Sequence, residues 1–181
     1  MCSRALVVLG LLTVASIADA QVYLTRNGRI DFYSNAPLEI IHAYSSRLKG
    51  VLDFSKKAFV FTVKIRSFEG FNSPLQREHF NENYMESDKY PEAVFQGKMI
   101  GDFDPEANTA QIIRAKGIMQ MHNMNKEIII TVELKKQGES VLANAAFTLM
   151  PKDFGIRIPK IVHEKIASEI NVNVSLLLNK N

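Results

Sequence analysis

Alternation of apolar and polar residues runs through most of this sequence after residue 21 and confines the chain to a sheet-rich fold. Residues 109–121 alternate over their full length, and Phe59, Phe61, Val63 and Ile65 mark an earlier alternating segment. Successive side chains of a β-strand point to opposite faces, so a period of two predicts strands with one buried face. By this pattern we predict strands at residues 23–34 (a strand or a hairpin, broken near Asn27-Gly28), 38–54, 58–66, 93–101, 109–121, 126–136, 140–150 and 170–178.

The connections between these segments favour an antiparallel arrangement. Turn residues cluster at 35–37, 102–108 and 123–125, and Gln137-Gly138-Glu139 predicts a hairpin. Too few helices are present to serve as the crossovers of a parallel sheet. A two-sheet sandwich is the rival fold, but the segments are long for a sandwich. The sequence therefore predicts a mainly β protein, an antiparallel up-and-down barrel of about eight strands with one or two short helices.

Two short helices interrupt the strand pattern. Ser73 is suited to an N-cap, Pro74 to the first helical position, and Gln76 to completing a capping box. Phe80 and Tyr84 follow at a spacing of four residues and are expected to share a helix face. A second helix is predicted over residues 159–167.

The first 20 residues have the features of an export signal. Arg4 precedes an apolar run at residues 5–17, and Ala18-Asp19-Ala20 forms a cleavage site. The run is shorter than the roughly 20 residues that span a bilayer. We therefore expect cleavage after Ala20, a folded domain over residues 21–181, and a periplasmic or secreted location. The only cysteine, Cys2, precedes this run, which excludes disulfides from the mature chain.

Charge and motif content exclude several functions. The net charge is +3 with no dense basic run, which argues against nucleic-acid binding. No zinc-binding histidine spacing, nucleophile elbow or phosphate-binding glycine loop occurs, so we expect no metal, no cofactor and no enzyme activity. A lipid-acting enzyme remains the weakest of three hypotheses, and Arg77, His79 and Glu82 are its only candidates. No stable membrane insertion is expected, whereas transient membrane-surface contact and a homodimer are compatible with the sequence.

The predicted inner faces differ in bulk. Some strands supply large side chains, whereas others supply glycine, alanine and methionine, which would leave the barrel axis open. None of these inward positions is charged, so an elongated apolar ligand is the leading hypothesis and a structural or interaction domain with a filled core is the second. The predicted ligand-binding residues are Phe61, Ile65, Phe80, Tyr84, Phe95, Gly97, Met99, Gly117, Met119, Met121, Ala145 and Phe147.

Several motifs resemble the YceI-like proteins, exported bacterial proteins that bind lipids or polyisoprenoids. They extend over the whole mature chain: the export signal, the strand at 59–65, Gln76-Arg-Glu-His79 with Asn81-Glu-Asn-Tyr84, Asp88-Lys-Tyr-Pro91 leading into Ala93-Val-Phe-Gln-Gly97, Gly117, Lys152-Asp-Phe-Gly155 and the closing Ile170-Asn-Val-Asn-Val. The resemblance implies a lipocalin-like antiparallel barrel that holds an isoprenoid or other lipid tail in its pore. The family often has Arg-Asp-x-His where this chain has Arg77-Glu78-His79, so headgroup contacts are not carried over to these residues.

Overall fold

Eight antiparallel strands form a closed barrel in this computed structural model, which describes residues 22–181. The predicted export signal at residues 1–20 lies outside the described residues. The strands are β1 (Val22–Asn35), β2 (Ile40–Asp53), β3 (Ala58–Lys64), β4 (Glu92–Ile100), β5 (Gln111–Met121), β6 (Met124–Gln137), β7 (Ser140–Leu149) and β8 (Ile170–Lys180). Each strand pairs with the next, and β1 pairs with β8 to close the sheet. The predicted up-and-down barrel is confirmed.

The two ends of the barrel differ. One end carries the short connections at residues 54–57 and 138–139, together with the loop at 101–110. The other end carries residues 36–39, the turn at 122–123, a long insert at residues 65–91 between β3 and β4, and the 150–169 segment between β7 and β8. We call the first the closed end and the second the open end.

The sheet is splayed at the open end in two places. Beyond the pair Lys49–Thr62, β2 no longer pairs with β3, and Tyr44 of β2 instead exchanges two backbone hydrogen bonds with Glu69 of the insert. Beyond the pair Val132–Ala145, β6 no longer pairs with β7. These gaps lie on opposite sides of an eight-stranded ring, so the sheet is unpaired at two facing positions of this end.

The helical prediction for the insert is largely correct. Helix α1 spans Pro74–His79, and the Ser73 side chain accepts a hydrogen bond from the Gln76 N–H at 3.2 Å. The Gln76 side chain accepts from the N–H of Asn72 rather than that of Ser73, so the capping box is displaced by one residue. The helix continues as a π-helical turn, Phe80–Tyr84, with the Met85 N–H donating to the Phe80 carbonyl. The predicted second helix is reduced to a 3-10 turn, Lys160–Val162, and a further turn follows it.

Three details of the predicted strand pattern need correction. The first strand is continuous through Asn27-Gly28, where a bulge shifts the register without forming a hairpin. The turn between β5 and β6 lies at His122 and Asn123, which both have positive φ, and Met124 already belongs to β6. A two-residue turn of this kind matches the twist of the flanking strands. The chain beyond Met150 forms a 3-10 turn, Pro151–Phe154, that the strand pattern did not predict.

Gly97 and Gly117 allow two backbones to approach closely. They are directly paired across β4 and β5. A Cβ on Gly117 would lie 2.3 Å from the Gln96 carbonyl oxygen, and one on Gly97 would lie 2.1 Å from that of Lys116. The sequence pattern suggests that these glycines leave the lumen open, but the contacts give a different reason for them: β4 and β5 could not pair here with any side chain present.

Substitution Gly117→Ala is expected to destabilise the barrel by about 3 kcal/mol or to prevent its closure, because the added methyl meets backbone atoms that cannot move independently. Urea unfolding measures the effect. Gly138→Asn is the control, since Gly138 has a positive φ that Asn tolerates and nothing within 4 Å. A Gly117→Ala variant as stable as this control would contradict the interpretation.

A buried carboxylate joins β1 and β2 on the outer wall. The Arg29 guanidinium donates two hydrogen bonds to Asp31, at 2.8 and 2.7 Å, and His42 Nε2 lies 2.9 Å from the same carboxylate. Tyr33 stacks on the His42 ring, and the guanidinium lies over Tyr44. Burial alone would raise the pKa of Asp31, but the hydrogen bonds from Arg29 and His42 outweigh it and hold the pKa below its usual value.

Because the pKa of Asp31 is lower in the folded state, its carboxylate stabilises the fold above the unfolded-state pKa, and that stability is lost as pH falls through the folded-state pKa. Asp31→Asn is expected to cost about 1–2 kcal/mol at neutral pH and to lose less stability than the wild type on acidification. Urea unfolding at neutral and acidic pH measures both effects. Asp88→Asn, at an exposed ion pair with Arg66, is the control and should cost less than about 0.5 kcal/mol. An unchanged pH profile in Asp31→Asn would contradict this account.

Candidate functional site

A hollow lumen of about 690 Å³ occupies the centre of the barrel. Its walls are the inward faces of the strands together with α1 and the 150–169 segment. An eight-stranded barrel is just wide enough either to be filled by its own side chains or to hold one small ligand. Here the volume falls within the range of about 300–1,000 Å³ that is typical of ligand sites.

Incomplete burial of inward-facing apolar side chains shows where the lumen is empty. Phe61, Ile130 and Phe147 line the cavity, yet each is only half-buried. In contrast, Leu134 and Leu178, near the closed end, are 1% and 0% exposed. The lumen is therefore hollow through its middle and toward the open end.

Aromatic rings seal the closed end. Phe54 meets Tyr23 edge to face with ring centroids 5.2 Å apart and stacks on Phe103 with centroids 4.8 Å apart. Phe103 belongs to the loop at 101–110, so this loop covers the end of the barrel. A ligand would therefore enter from the opposite end.

Within residues 22–181, four exposed side chains line the cavity, and all of them lie at the open end. Ser73, Leu75 and His79 come from α1 or its N-cap, and Lys165 comes from the 150–169 segment. Between these two elements lies Glu39, whose carboxylate accepts hydrogen bonds from Gln76 Nε2 at 2.8 Å and from Asn72 Nδ2 at 3.4 Å. Glu39 therefore holds α1 against the short β1–β2 connection.

Charge in the lumen is confined to this same end. The charged or titratable groups Glu39, His79 and Lys165 line the mouth of the cavity. Within residues 22–181, the side chains of His79 and Lys165 have no hydrogen bond or ion pair, so both are available to a polar group at the mouth. The deeper wall is apolar, apart from the Tyr84, Ser34 and Asn144 groups. Ser34 Oγ accepts from the Ala167 N–H, and Asn144 Oδ1 accepts from Ser175.

An aromatic cluster of Phe32, Phe68, Phe71 and Phe80 fixes the insert over the gap between β2 and β3. Phe80 stacks on Phe32 with centroids 5.4 Å apart and meets Phe71 at 5.0 Å. Phe80 and Tyr84 both face the lumen across the π-helical turn. Aromatic pairs of this kind contribute beyond the area they bury, so the cluster ties helix α1 to the wall of the barrel.

His122 fastens the other side of the insert. Its Nδ1 donates to the Phe154 carbonyl at 2.9 Å, and its ring meets Tyr90 edge to face. Its Nε2 is buried without a hydrogen-bond partner, 3.6 Å from a Glu86 carboxylate oxygen. A hydrogen bond from Lys89, followed by the charges of Lys89 and His122, lowers the pKa of Glu86. The insert, the β5–β6 turn and the 150–169 segment therefore meet at one imidazole.

Ten of the twelve residues predicted to bind a ligand line this cavity: Phe61, Ile65, Phe80, Tyr84, Phe95, Met99, Met119, Met121, Ala145 and Phe147. Gly97 and Gly117 do not, for the packing reason given above. Whether any of the twelve contacts a ligand stays a prediction. The sequence pattern did not indicate Phe68 and Phe71, which lie outside any periodic segment, or Glu39 and Lys165.

The three side chains considered for lipid-directed catalysis are not brought together. Arg77 donates to the Arg66 carbonyl at 3.1 Å, and no hydrogen bond or ion pair joins Arg77, His79 and Glu82 in the described part of the chain. Residues 22–181 also contain no group of three or more side chains placed to hold a metal ion. Among these same residues, no helix is both long enough and apolar enough to cross a membrane.

Comparison with known proteins identifies the family. The model of the YceI-like domain matches residues 27–178. The chain belongs to the YceI-like family. No curated protein matches this YceI-like chain in sequence.

Solved structures share the fold at low sequence identity. A polyisoprenoid binding domain from Saccharophagus degradans, implicated in plant cell wall breakdown, has a TM-score of 0.75 at 9% identity, covering 90% of this chain and 100% of that one. BcnA from Burkholderia cenocepacia gives 0.70 at 11%, covering 83% and 95%. The Campylobacter jejuni YCEI protein gives 0.56 at 15%, covering 100% and 99%. At these identities the likeness shows the fold.

Phe80→Ala is expected to loosen the insert, because it removes the ring through which α1 contacts Phe32, Phe68 and Phe71. We expect a loss of about 2–3 kcal/mol in unfolding free energy and faster amide exchange in residues 65–91 than in the strands. Leu75→Ala on the same helix is the control, since Leu75 is 58% exposed. Equal exchange in the two variants would show that the cluster does not hold the insert.

Proposed function

We propose that this YceI-like protein binds an amphiphile with a long apolar tail, with the tail in the lumen and the polar group at the open end. The observation that carries the proposal is the distribution of polarity along the cavity. The deeper wall presents Phe, Met, Ile, Val and Ala side chains, whereas Glu39, His79 and Lys165 lie at the mouth. A molecule that matches this wall is apolar along most of its length and polar at one end.

Burial of an apolar tail supplies enough free energy for binding. Burial of each methylene contributes about 0.8 kcal/mol, so ten of them contribute about 8 kcal/mol before the costs of association are subtracted. No specific hydrogen bond is required at that level. The methionines Met99, Met119 and Met121 add flexible contacts that can adapt to tails of different shape.

The comparisons support an isoprenoid or related lipid as the ligand class. The Saccharophagus degradans domain of the same fold is described as polyisoprenoid binding, and the family model matches most of this chain. A filled-core structural domain is a weaker proposal, because half-buried inward side chains such as Phe61 and Ile130 have unfilled space beside them.

We further propose that the protein is exported and carries or sequesters its ligand outside the cytoplasm. Arg4, the apolar run at residues 5–17 and the Ala18-Asp19-Ala20 site support export. Protein sequencing of the mature chain purified from its source would test this, and a first residue other than Gln21 would contradict the cleavage site.

Ala145→Phe is expected to weaken lipid binding at least about tenfold, because it places a ring in the lumen where each 1.4 kcal/mol of lost contact is a factor of ten. Ala145 pairs with Val132 and Val174 and lines the cavity. Titration with a fluorescent fatty acid and a fluorescent isoprenoid measures the affinity. Ala146→Phe is the matched control, since the neighbouring side chain is exposed on the outer face.

Both variants must fold for this comparison, which circular dichroism and urea unfolding establish. Native mass spectrometry of the wild type adds an independent reading through the mass of any co-purified ligand. Equal probe affinities in Ala145→Phe and Ala146→Phe, or an apo mass without probe binding, would overturn the proposed function.

A further inference from the structure

Exposed aliphatic side chains concentrate at the open end of the barrel. Six large apolar side chains among residues 22–181 are more than half exposed, and four of them lie at this end: Leu38 at 68%, Ile40 at 64%, Leu75 at 58% and Ile161 at 92%. The other two, Ile112 and Ile129, lie on the barrel wall. Single exposed apolar residues need no explanation, but a cluster of them does. We call these four residues the rim.

Hydrogen bonds join the elements that carry the rim. The Leu38 N–H donates to the Glu164 carbonyl at 2.8 Å, which ties the β1–β2 connection to the segment that presents Ile161. On the other side, Asn72 Nδ2 donates to the Ile40 carbonyl at 3.0 Å, just before the helix that carries Leu75. The rim is therefore a continuous edge, with α1, the β1–β2 connection and the 150–169 segment in fixed order beside the cavity mouth.

The rim is too small for a stable protein interface. Such an interface buries about 800 Å² on each partner, with some 20–30 residues a side, and four separated side chains on three elements do not supply that area. These side chains project from the edge of an opening, so they offer no groove for a peptide or a helix. Four aliphatic groups around a mouth are suited instead to entering a deformable apolar phase.

Charge around the rim is balanced. Within residues 36–40, 72–79 and 158–166, three cations stand against three carboxylates: Arg77, Lys160 and Lys165 against Glu39, Glu78 and Glu164. This balance gives no attraction toward a strongly anionic surface and no repulsion from a neutral one. Lys160 directly precedes Ile161 and can keep its ammonium group in water while its aliphatic stem follows the Ile161 side chain inward.

We propose that the rim docks the open end onto the surface of a lipid bilayer, through Leu38, Ile40, Leu75 and Ile161 and without a requirement for anionic lipid. This inference rests on the proposed function. Docked in this way, the mouth of the apolar cavity faces the lipid phase. A tail then passes between bilayer and lumen without entering water. Transfer through water would expose every methylene of the tail to solvent.

A tryptophan reporter tests the orientation directly, because the chain contains no Trp. We expect Ile161→Trp fluorescence to shift to shorter wavelength with phosphatidylcholine vesicles and to be quenched by brominated phosphatidylcholine. Ile112→Trp, at a side chain of 65% exposure on the barrel wall, is the control and should do neither. No response from Ile161→Trp would overturn the proposal, and equal responses from both would show adsorption without orientation and overturn it as well.

Two double variants, one at the rim and one on the barrel wall, test the contribution of the rim to vesicle binding. The double variant Leu38→Ser with Ile161→Ser changes two rim residues that do not line the cavity, and we expect vesicle affinity to fall about tenfold per side chain. The control double variant, Ile112→Ser with Ile129→Ser, should bind vesicles like the wild type. Adding phosphatidylglycerol should not restore the rim variant. An unchanged vesicle affinity, or a wild-type dimer without lipid that the rim variant converts to a monomer, would overturn the proposal.

The readouts separate this inference from the proposed function. If soluble fluorescent lipid binds the wild type and Ala145→Phe abolishes that binding, the proposed function stands whatever the vesicles show. If vesicles bind and the lumen takes no probe, the docking surface stands and the proposed function fails. With both intact, the rim variant should retain its affinity for soluble probe while taking lipid more slowly from donor vesicles.

Discussion

Closure of the sheet through the pairing of β1 with β8 is the constraint on which this structure depends. A closed sheet has no free edge, so every strand must keep its inward and outward faces in step with both neighbours. Between β4 and β5 this brings two backbones so close that Gly97 must face Gly117. Closure alone does not fill the interior. Whether a lumen remains depends on the diameter of the barrel and on the volume of the side chains that point into it.

Although the barrel is closed, two strand pairs separate at its open end, and the lumen opens toward that end. Toward the open end, β2 and β3 separate beyond Lys49, and β6 and β7 separate beyond Val132. These two gaps lie on opposite sides of the barrel. Ile130, near the gap between β6 and β7, lines the lumen and is only half-buried. The insert and the 150–169 segment pack against this end of the barrel through the aromatic cluster and the His122 contacts. These elements close the wall without plugging the axis, which leaves an apolar chamber with a polar mouth.

Period-two alternation predicted the strands and their inward faces because it reflects a property of each strand alone. The positions of Phe61, Met119 and Phe147 follow from parity, and all three line the lumen. In β2 the inward parity changes between Ile41 and Leu48, where the pairing with β1 shifts register. The alternation of a single strand carries no information about the distance between two paired backbones. It therefore does not show that Gly97 and Gly117 are required for β4 and β5 to pair. It also fails where the chain is irregular. Phe68 and Phe71 lie outside any periodic segment, and their role appears only when β2 and β3 separate.

The open end was the hardest part of the molecule to predict, because irregular segments from distant parts of the sequence form it. The sequence pattern assigns Leu38 to a strand and Ile161 to a helix, but Leu38 precedes β2 and Ile161 lies in a 3-10 turn. Both side chains are exposed beside the mouth that Glu39, α1 and residues 158–166 form together. A barrel that only enclosed its ligand could cover this edge with polar side chains at no cost to its core. The aliphatic edge is therefore a property of how the cavity meets its surroundings, and it is consistent with a chamber whose contents are exchanged with another apolar phase.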